Sequence, residues 1–179
     1  MQEFVVSKLK SEKEIFSNSK IMDCFEMLEN LNIPYEYVSC TRPFENNEEL
    51  ALIDAAIRVK GIKNLVFKTK KGNRYFLIIL FRETQLDIKK FREDHNLPKI
   101  TMANEEELLE LLHCKMGSVS ITELMYDKEK KIELFIEESI LKEEYYRFHP
   151  NDNIATIRIR TTDLLTKLIP YLSHEINYI

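Results

Sequence analysis

A chain of 179 residues, 31% charged and 44% apolar, has enough material for one well-cored domain and little for a second. Its net charge of −4 argues against a protein that coats duplex DNA, while leaving room for a local grip on one end of a nucleic acid. No apolar run approaches the ~20 residues that span a bilayer. The opening residues, with Glu3, Lys8, Lys10, Glu12 and Lys13, lack the apolar core of a signal peptide. Cys24, Cys40 and Cys114 show no CxxC spacing and suit reduced thiols. These features together predict a cytoplasmic protein.

In chain order, residues 1–18 are polar and mixed, and are expected to add a short helix to the domain. Apolar residues at Ile21, Cys24, Phe25, Leu28 and Leu31 then recur at helical spacing, predicting a helix from Lys20 to Asn32. Pro34 ends it, because the residue before a proline is pushed out of the α region. Tyr35 to Cys40 alternates as a strand does. Asn46-Asn47-Glu48-Glu49 supplies an N-cap and an acidic first turn for a helix to about Val59.

Two β-rich runs follow, Ile62 to Lys68 and Tyr75 to Phe81, around a polar link containing Gly72-Asn73. Gly and Asn tolerate the positive φ of a tight turn, so this is a hairpin. Tyr75 to Phe81 is apolar at every position, which predicts a central strand buried on both faces. Between Asp54 and Glu83 there is no acid but eight basic residues: Arg58, Lys60, Lys63, Lys68, Lys70, Lys71, Arg74 and Arg82. Such a strip is a candidate phosphate footprint; its bland reading is a set of solvated lysines that keep a hairpin edge from aggregating.

Leu86-Asp87 opens a helix to about Asn96, and Asn104 caps another from Glu105 to His113. Strands are expected at Lys131–Ile136, Tyr145–Phe148 and Ile154–Arg160, and a final helix at Leu164–Tyr171 begins from Thr161-Thr162-Asp163. Strands interleaved with helices, with neither linker nor repeat, define one α/β or α+β domain.

Most familiar catalytic patterns are missing. Adjacent His113 and Cys114 point about 100° apart on a helix and do not form a nucleophile pair. His174-Glu175 lacks the second histidine of a HExxH site, and the four histidines have no ligand spacing, so no metal is expected. With three glycines in the chain there is no phosphate-binding loop. Gly117 reads either as a helix C′ residue or as a bend whose N–H groups face a pocket. Phe148-His149-Pro150-Asn151-Asp152-Asn153 reads either as an ordinary polar turn or as a pocket rim.

Three blocks occur in one order: Lys63-Asn64-Leu65-Val66-Phe67-Lys68 with Lys70-Lys71-Gly72; Gly117-Ser118-Val119-Ser120; and Phe148-His149-Pro150-Asn151-Asp152-Asn153-Ile154-Ala155-Thr156. Leu31-Asn32-Ile33-Pro34-Tyr35-Glu36 precedes them. Together they resemble the YbaK/ProX-type prolyl-tRNA editing family, relatives of the editing insertion domain of bacterial prolyl-tRNA synthetase. The resemblance covers residues 20–179, leaving 1–19 as an N-terminal extension. It implies an α/β domain with a mixed, partly barrel-like sheet flanked by helices. It also implies hydrolysis of the ester joining a wrong amino acid, alanine first, to the 3′ end of tRNA(Pro), without a cofactor and with prolyl-tRNA synthetase as a possible partner. The catalytic positions it implies are Lys63, Gly117 and His149; Asn64, Ser118, Val119, Ser120, Asn153 and Phe44 would contact substrate.

The chain departs from the family pattern at four places. The loop that in the family ends in proline ends in Ile121. Cys40-Thr41-Arg42 stands where His-Pro-Pro is common, Gly61-Ile62 where His-Thr is, and Ile154 where threonine is. These changes motivate an alternative, a non-catalytic module that binds aminoacyl-tRNA ends or an aminoacyl-like small molecule.

Overall fold

The computed structural model describes residues 3–179. Its helices are α1 (Ser19–Asn30), α2 (Asn47–Ile57), α3 (Ile88–Asp94), α4 (Glu105–Leu112) and α5 (161–172). Its strands are β1 (Tyr35–Ser39), β2 (Ile62–Thr69), β3 (Tyr75–Phe81), β4 (Ile100–Met102), β5 (Ile132–Ile136), β6 (Tyr145–Phe148), β7 (Ala155–Arg160) and β8 (Ile176–Tyr178). The expected α/β architecture is present, divided between two sheets. One is antiparallel with order β1-β7-β6; the other is mixed, with order β4-β2-β3-β5-β8. Neither sheet closes into a barrel.

β3 organises the larger sheet. It pairs antiparallel with β2 and parallel with β5, and its side chains alternate between two cores. Leu77 and Ile79 join the main core with α1, α4, α5 and the inner faces of β6 and β7. Phe76, Ile78 and Leu80 pack with Phe91, Leu97 and Phe135 under α3. A strand apolar at every position is what such double burial demands. The hairpin link closes as a loop in which Gly72 holds φ +67° and the Gly72 N–H donates to the Thr69 carbonyl at 2.8 Å.

The smaller sheet sends Ile157 and Ile159 inward. On its other face Val38 packs with Ile53 and Ile57 of α2. Two arginines on that outer face reach the C-terminal end of α2, whose last carbonyls lack helical partners. Arg158 Nη1 donates to the Ile57 carbonyl at 2.9 Å, and Arg147 Nη1 to the Val59 carbonyl at 3.2 Å.

Three local features differ from the sequence reading. No helix forms over residues 3–18; residues 1 and 2 of that expectation lie outside the described residues. The segment runs extended beside β1, with bridges Val6↔Cys40 and Lys10↔Tyr37, and Phe16 stacks on Phe25 at 5.7 Å. The departure at Cys40-Thr41-Arg42 serves this docking. Thr41 Oγ1 accepts from the Val5 N–H at 3.1 Å, and the Arg42 guanidinium lies 5.1 Å from the Phe4 ring centre. Strands β4 and β8, three residues each, are too short to show alternation. Finally, α5 carries a π-helical turn at Leu164–Leu168, where the Ile169 N–H donates to the Leu164 carbonyl. The wider turn precedes Pro170, which has no N–H to continue an α-helical ladder.

Candidate active site

A cavity of about 220 Å³ opens where the two sheets meet, lined by Phe44, Leu50, Ile62, Lys63, Asn64, Arg82, Gly117, Val119, Arg147, Phe148 and His149. Six of the nine positions singled out in the sequence, Lys63, Gly117, His149, Asn64, Val119 and Phe44, therefore line one cavity. Lys63 and Asn64 come from the start of β2, His149 from the end of β6, and Gly117 and Val119 from the loop after α4. Phe44, from the segment before α2, and Leu50, from its first turns, complete the lining.

Lys63 Nζ donates to the Arg82 carbonyl at 3.1 Å, which fixes the ammonium at the hairpin's open end. Asn64 Nδ2 donates to the Val119 carbonyl at 2.9 Å, tying the glycine loop to β2. Asn64 Oδ1 is buried without a partner, an acceptor whose desolvation is uncompensated in this state.

Gly117 is not the C′ residue of α4. His113 takes that left-handed position, with φ 55°, and stacks on Tyr126 at 4.7 Å. Gly117 lies in the following turn at φ +85°, a conformation costly for a residue with a Cβ. Among the described residues, the Gly117 and Val119 N–H groups donate to no protein acceptor. They are available to an oxygen in the cavity.

The loop does not need the family's proline to hold its shape. Ser120 Oγ donates to the His149 carbonyl at 2.7 Å, and Thr122 Oγ1 to Asn151 Oδ1 at 2.6 Å. Glu123 Oε2 accepts from the Ser120 N–H at 2.9 Å, and Ile121 is fully buried. Ser120 thus stands behind the wall as a brace. Ser118 and Asn153 also lie off this cavity, lining a neighbouring groove of about 560 Å³ with Asn18, Lys20 and Met116.

His149 Nδ1 lies 3.2 Å from the Ala155 carbonyl oxygen. A carbonyl only accepts, so Nδ1 carries the hydrogen and Nε2 holds a lone pair. Burial pushes the imidazole pKa down to about 4, with Arg147 and Arg82 adding to the effect, so the ring is neutral at physiological pH.

Sequence reasoning missed a polar group beside the cavity, in which the lining residues Arg82 and Arg147 meet Asp54. Asp54 of α2 is shared by two guanidinium groups: Arg147 Nη1 donates to Oδ1 at 2.5 Å and Arg82 Nη1 to Oδ2 at 2.5 Å. Arg147 is buried, 4% exposed at its side chain, and Arg82 is 31% exposed. The two arginines hold the Asp54 carboxyl below its usual range against the opposing effect of burial. A lone acid within the apolar run Leu50 to Ile57, and a lone arginine within Tyr145 to Phe148, were the available signals.

The basic strip is narrower than its sequence. Lys60, Lys68, Arg74 and Arg82 each pair with a carboxylate, of Glu143, Glu107, Glu133 and Asp54 respectively. Among the described residues no group of three or more His, Cys, Asp or Glu is placed to hold a metal ion. Nor, among those residues, is any helix long and apolar enough to cross a membrane. The Cys24 and Cys114 thiols are raised in pKa, chiefly by burial, which disfavours the nucleophilic thiolate.

A mixed α/β fold with a small cavity of cationic, amide and imidazole groups defines a class that a family comparison identifies. Residues 48–167 match the aminoacyl-tRNA editing domain, and the chain belongs to that family. It is 26% identical over 137 residues to the prolyl-tRNA editing protein ProX of Acetoanaerobium sticklandii, covering 76% of this chain and 83% of that one. It is 27% identical over 144 residues to prolyl-tRNA synthetase associated domain-containing protein 1 of Danio rerio, covering 78% and 76%. The fold is shared with a solved candidate trans-editing enzyme for prolyl tRNA synthetase: TM-score 0.63 and 17% identity, over 90% of this chain and 96% of that one.

Proposed function

We propose that this protein is a trans-acting deacylase that hydrolyses the ester of mischarged tRNA(Pro), with alanyl-tRNA(Pro) as its first substrate. The observation that carries this reading is the meeting of Lys63, Gly117 and His149 around one cavity of about 220 Å³. That volume is below the ~300–1,000 Å³ of ordinary small-molecule pockets. It suits an aminoacyl group alone, with the terminal adenosine resting at the mouth.

The lining residues contain no Ser, Thr, Cys, Asp or Glu, so the nucleophile is water. An aminoacyl ester is already activated, and its vicinal ribose hydroxyl assists. Water adds to the carbonyl carbon while the neutral His149 Nε2 accepts its proton, directly or relayed through that ribose hydroxyl, which passes its own proton on. Negative charge develops on the former carbonyl oxygen, where the Gly117 and Val119 N–H groups and the Lys63 ammonium stabilise it. The carbon–oxygen bond to the ribose then breaks, and the ribose oxygen takes up a proton. Phe44, Leu50, Ile62, Val119 and Phe148 shape the apolar part of the cavity, which rejects proline by size.

The similarity to the prolyl-tRNA editing protein ProX and to a prolyl-tRNA synthetase associated domain-containing protein supports tRNA(Pro) as the carrier, and the reading places prolyl-tRNA synthetase beside it as a working partner in the cytoplasm. Ester hydrolysis by the purified protein on alanyl-, cysteinyl- and prolyl-tRNA(Pro) tests the reading. Turnover of the mischarged species with prolyl-tRNA(Pro) spared is expected. Saturable binding without turnover would instead assign a non-catalytic module.

A further inference from the structure

We propose that Arg82 receives the 5′-phosphate of the substrate's terminal nucleotide at the cavity mouth, and that Asp54 and Gly61 are positioning residues for it. The identity of the nucleotide rests on the deacylase reading above.

Asp54 is one carboxylate facing two guanidinium groups, so one positive charge is left over. Arg147 is the buried member and donates through Nη1 to Asp54 and to the Val59 carbonyl. A buried guanidinium holds its counter-charge tightly, since unpaired it is costly. The surplus therefore falls on Arg82, the solvent-side member of the pair. Arg82 gives Nη1 and Nη2 to Asp54, and its Nε–H donates to no acceptor among the described residues. A planar guanidinium held by its Nη1/Nη2 edge and open on its Nε edge can still donate to a phosphate oxygen.

The seat of Arg82 is built in the backbone. A Cβ placed on Gly61 would lie 2.3 Å from Arg82 Nη2 and 2.4 Å from its Cζ, so the guanidinium lies across a backbone that only glycine leaves clear. Gly61 is the residue before β2, and the Arg82 N–H donates to its carbonyl at 2.9 Å. The glycine found where the family commonly has histidine thus has a physical use. Lys63 lies on the same wall, 3.1 Å from the Arg82 carbonyl, so phosphate and ester meet neighbouring cations.

Two hydrolysis-resistant probes test this: 3′-alanylamino-3′-deoxyadenosine and its 5′-monophosphate, titrated against wild type, Arg82→Gln and Gly61→Ala. The wild type is expected to bind the monophosphate at least about tenfold more tightly than the nucleoside. Both variants are expected to lose that increment, keep their affinity for the nucleoside probe, and melt as cooperative folded proteins. In Gly61→Ala the new methyl displaces only the far end of a flexible side chain, so the fold survives. An increment that persists in Arg82→Gln, or a wild type that binds both probes equally, overturns the assignment. Hydrolysis of alanyl-tRNA(Pro) is followed in parallel. Turnover without a phosphate increment contradicts the Arg82 site alone, whereas an increment without turnover contradicts the deacylase reading alone.

Discussion

The Lys63 ammonium and the Arg82 carbonyl oxygen lie 3.1 Å apart across the open end of the β2–β3 hairpin, and this contact aims a flexible cation at the cavity. Lys63→Ala removes the charge nearest the proposed ester without touching either core. The deacylation rate is expected to fall at least tenfold, about 1.4 kcal/mol in barrier, with the melting temperature unchanged. Single-turnover kinetics beside a thermal melt checks both halves.

Gly117→Ala separates strain from crowding. A Cβ there meets nothing within 4 Å, yet φ is +85°. The cost is therefore conformational, about 1–2 kcal/mol, or roughly 2–4 °C of melting temperature per kcal/mol. If the loop relaxes, its N–H groups turn from the cavity, and kcat is expected to fall about tenfold. Calorimetry and kcat together check this.

His149 sets a pH expectation with a definite sign. Its folded pKa is depressed to about 4 from 6.5, so the unfolded chain binds a proton that the folded one refuses between those values. Its contribution to stability is complete above about pH 6.5 and is lost as pH falls toward 4. The Nε2 lone pair persists over the same range. The His149-dependent part of the rate, wild type minus His149→Ala, is expected to be flat from pH 6 to 8 and to fall near pH 4.

Glu123 runs in the opposite direction. Burial raises its pKa from 4.5 to about 7, so the folded chain binds a proton that the unfolded one has already released. Its contribution is therefore present below about pH 4.5 and is lost as pH rises through 7. Glu123→Gln keeps an acceptor for the Ser120 N–H and carries no charge. It is expected to stabilise the protein at pH 8 by on the order of 1–2 kcal/mol, and to change little at pH 5. Melting curves at the two pH values decide it.

The long elements were legible because burial writes itself into periodicity. The uninterrupted apolar run of β3 announced a strand between two cores, and Asn46 and Asn104 announced helix starts. The edges β4 and β8 left no comparable trace, and the extended N-terminal segment is fixed by tertiary contacts with β1 that no local pattern encodes. At the site, Lys63, Gly117 and His149 were found through the order of three blocks. Asp54 and Arg147 escaped because each looks ordinary alone; what makes them a unit is the packing of α2 on the outer face of the smaller sheet, which lets Arg147 reach a residue 93 positions away. Ser118, Ser120 and Asn153 were assigned to substrate because they lie in the blocks that carry the family resemblance. Folding turns Ser120 inward as a brace and Ser118 and Asn153 toward the next groove.

The account stands most directly on single-turnover hydrolysis of alanyl-tRNA(Pro) and prolyl-tRNA(Pro) by the purified, folded protein. It predicts that the alanyl ester is cleaved and the prolyl ester spared. An alanyl ester that decays no faster than in buffer would contradict it.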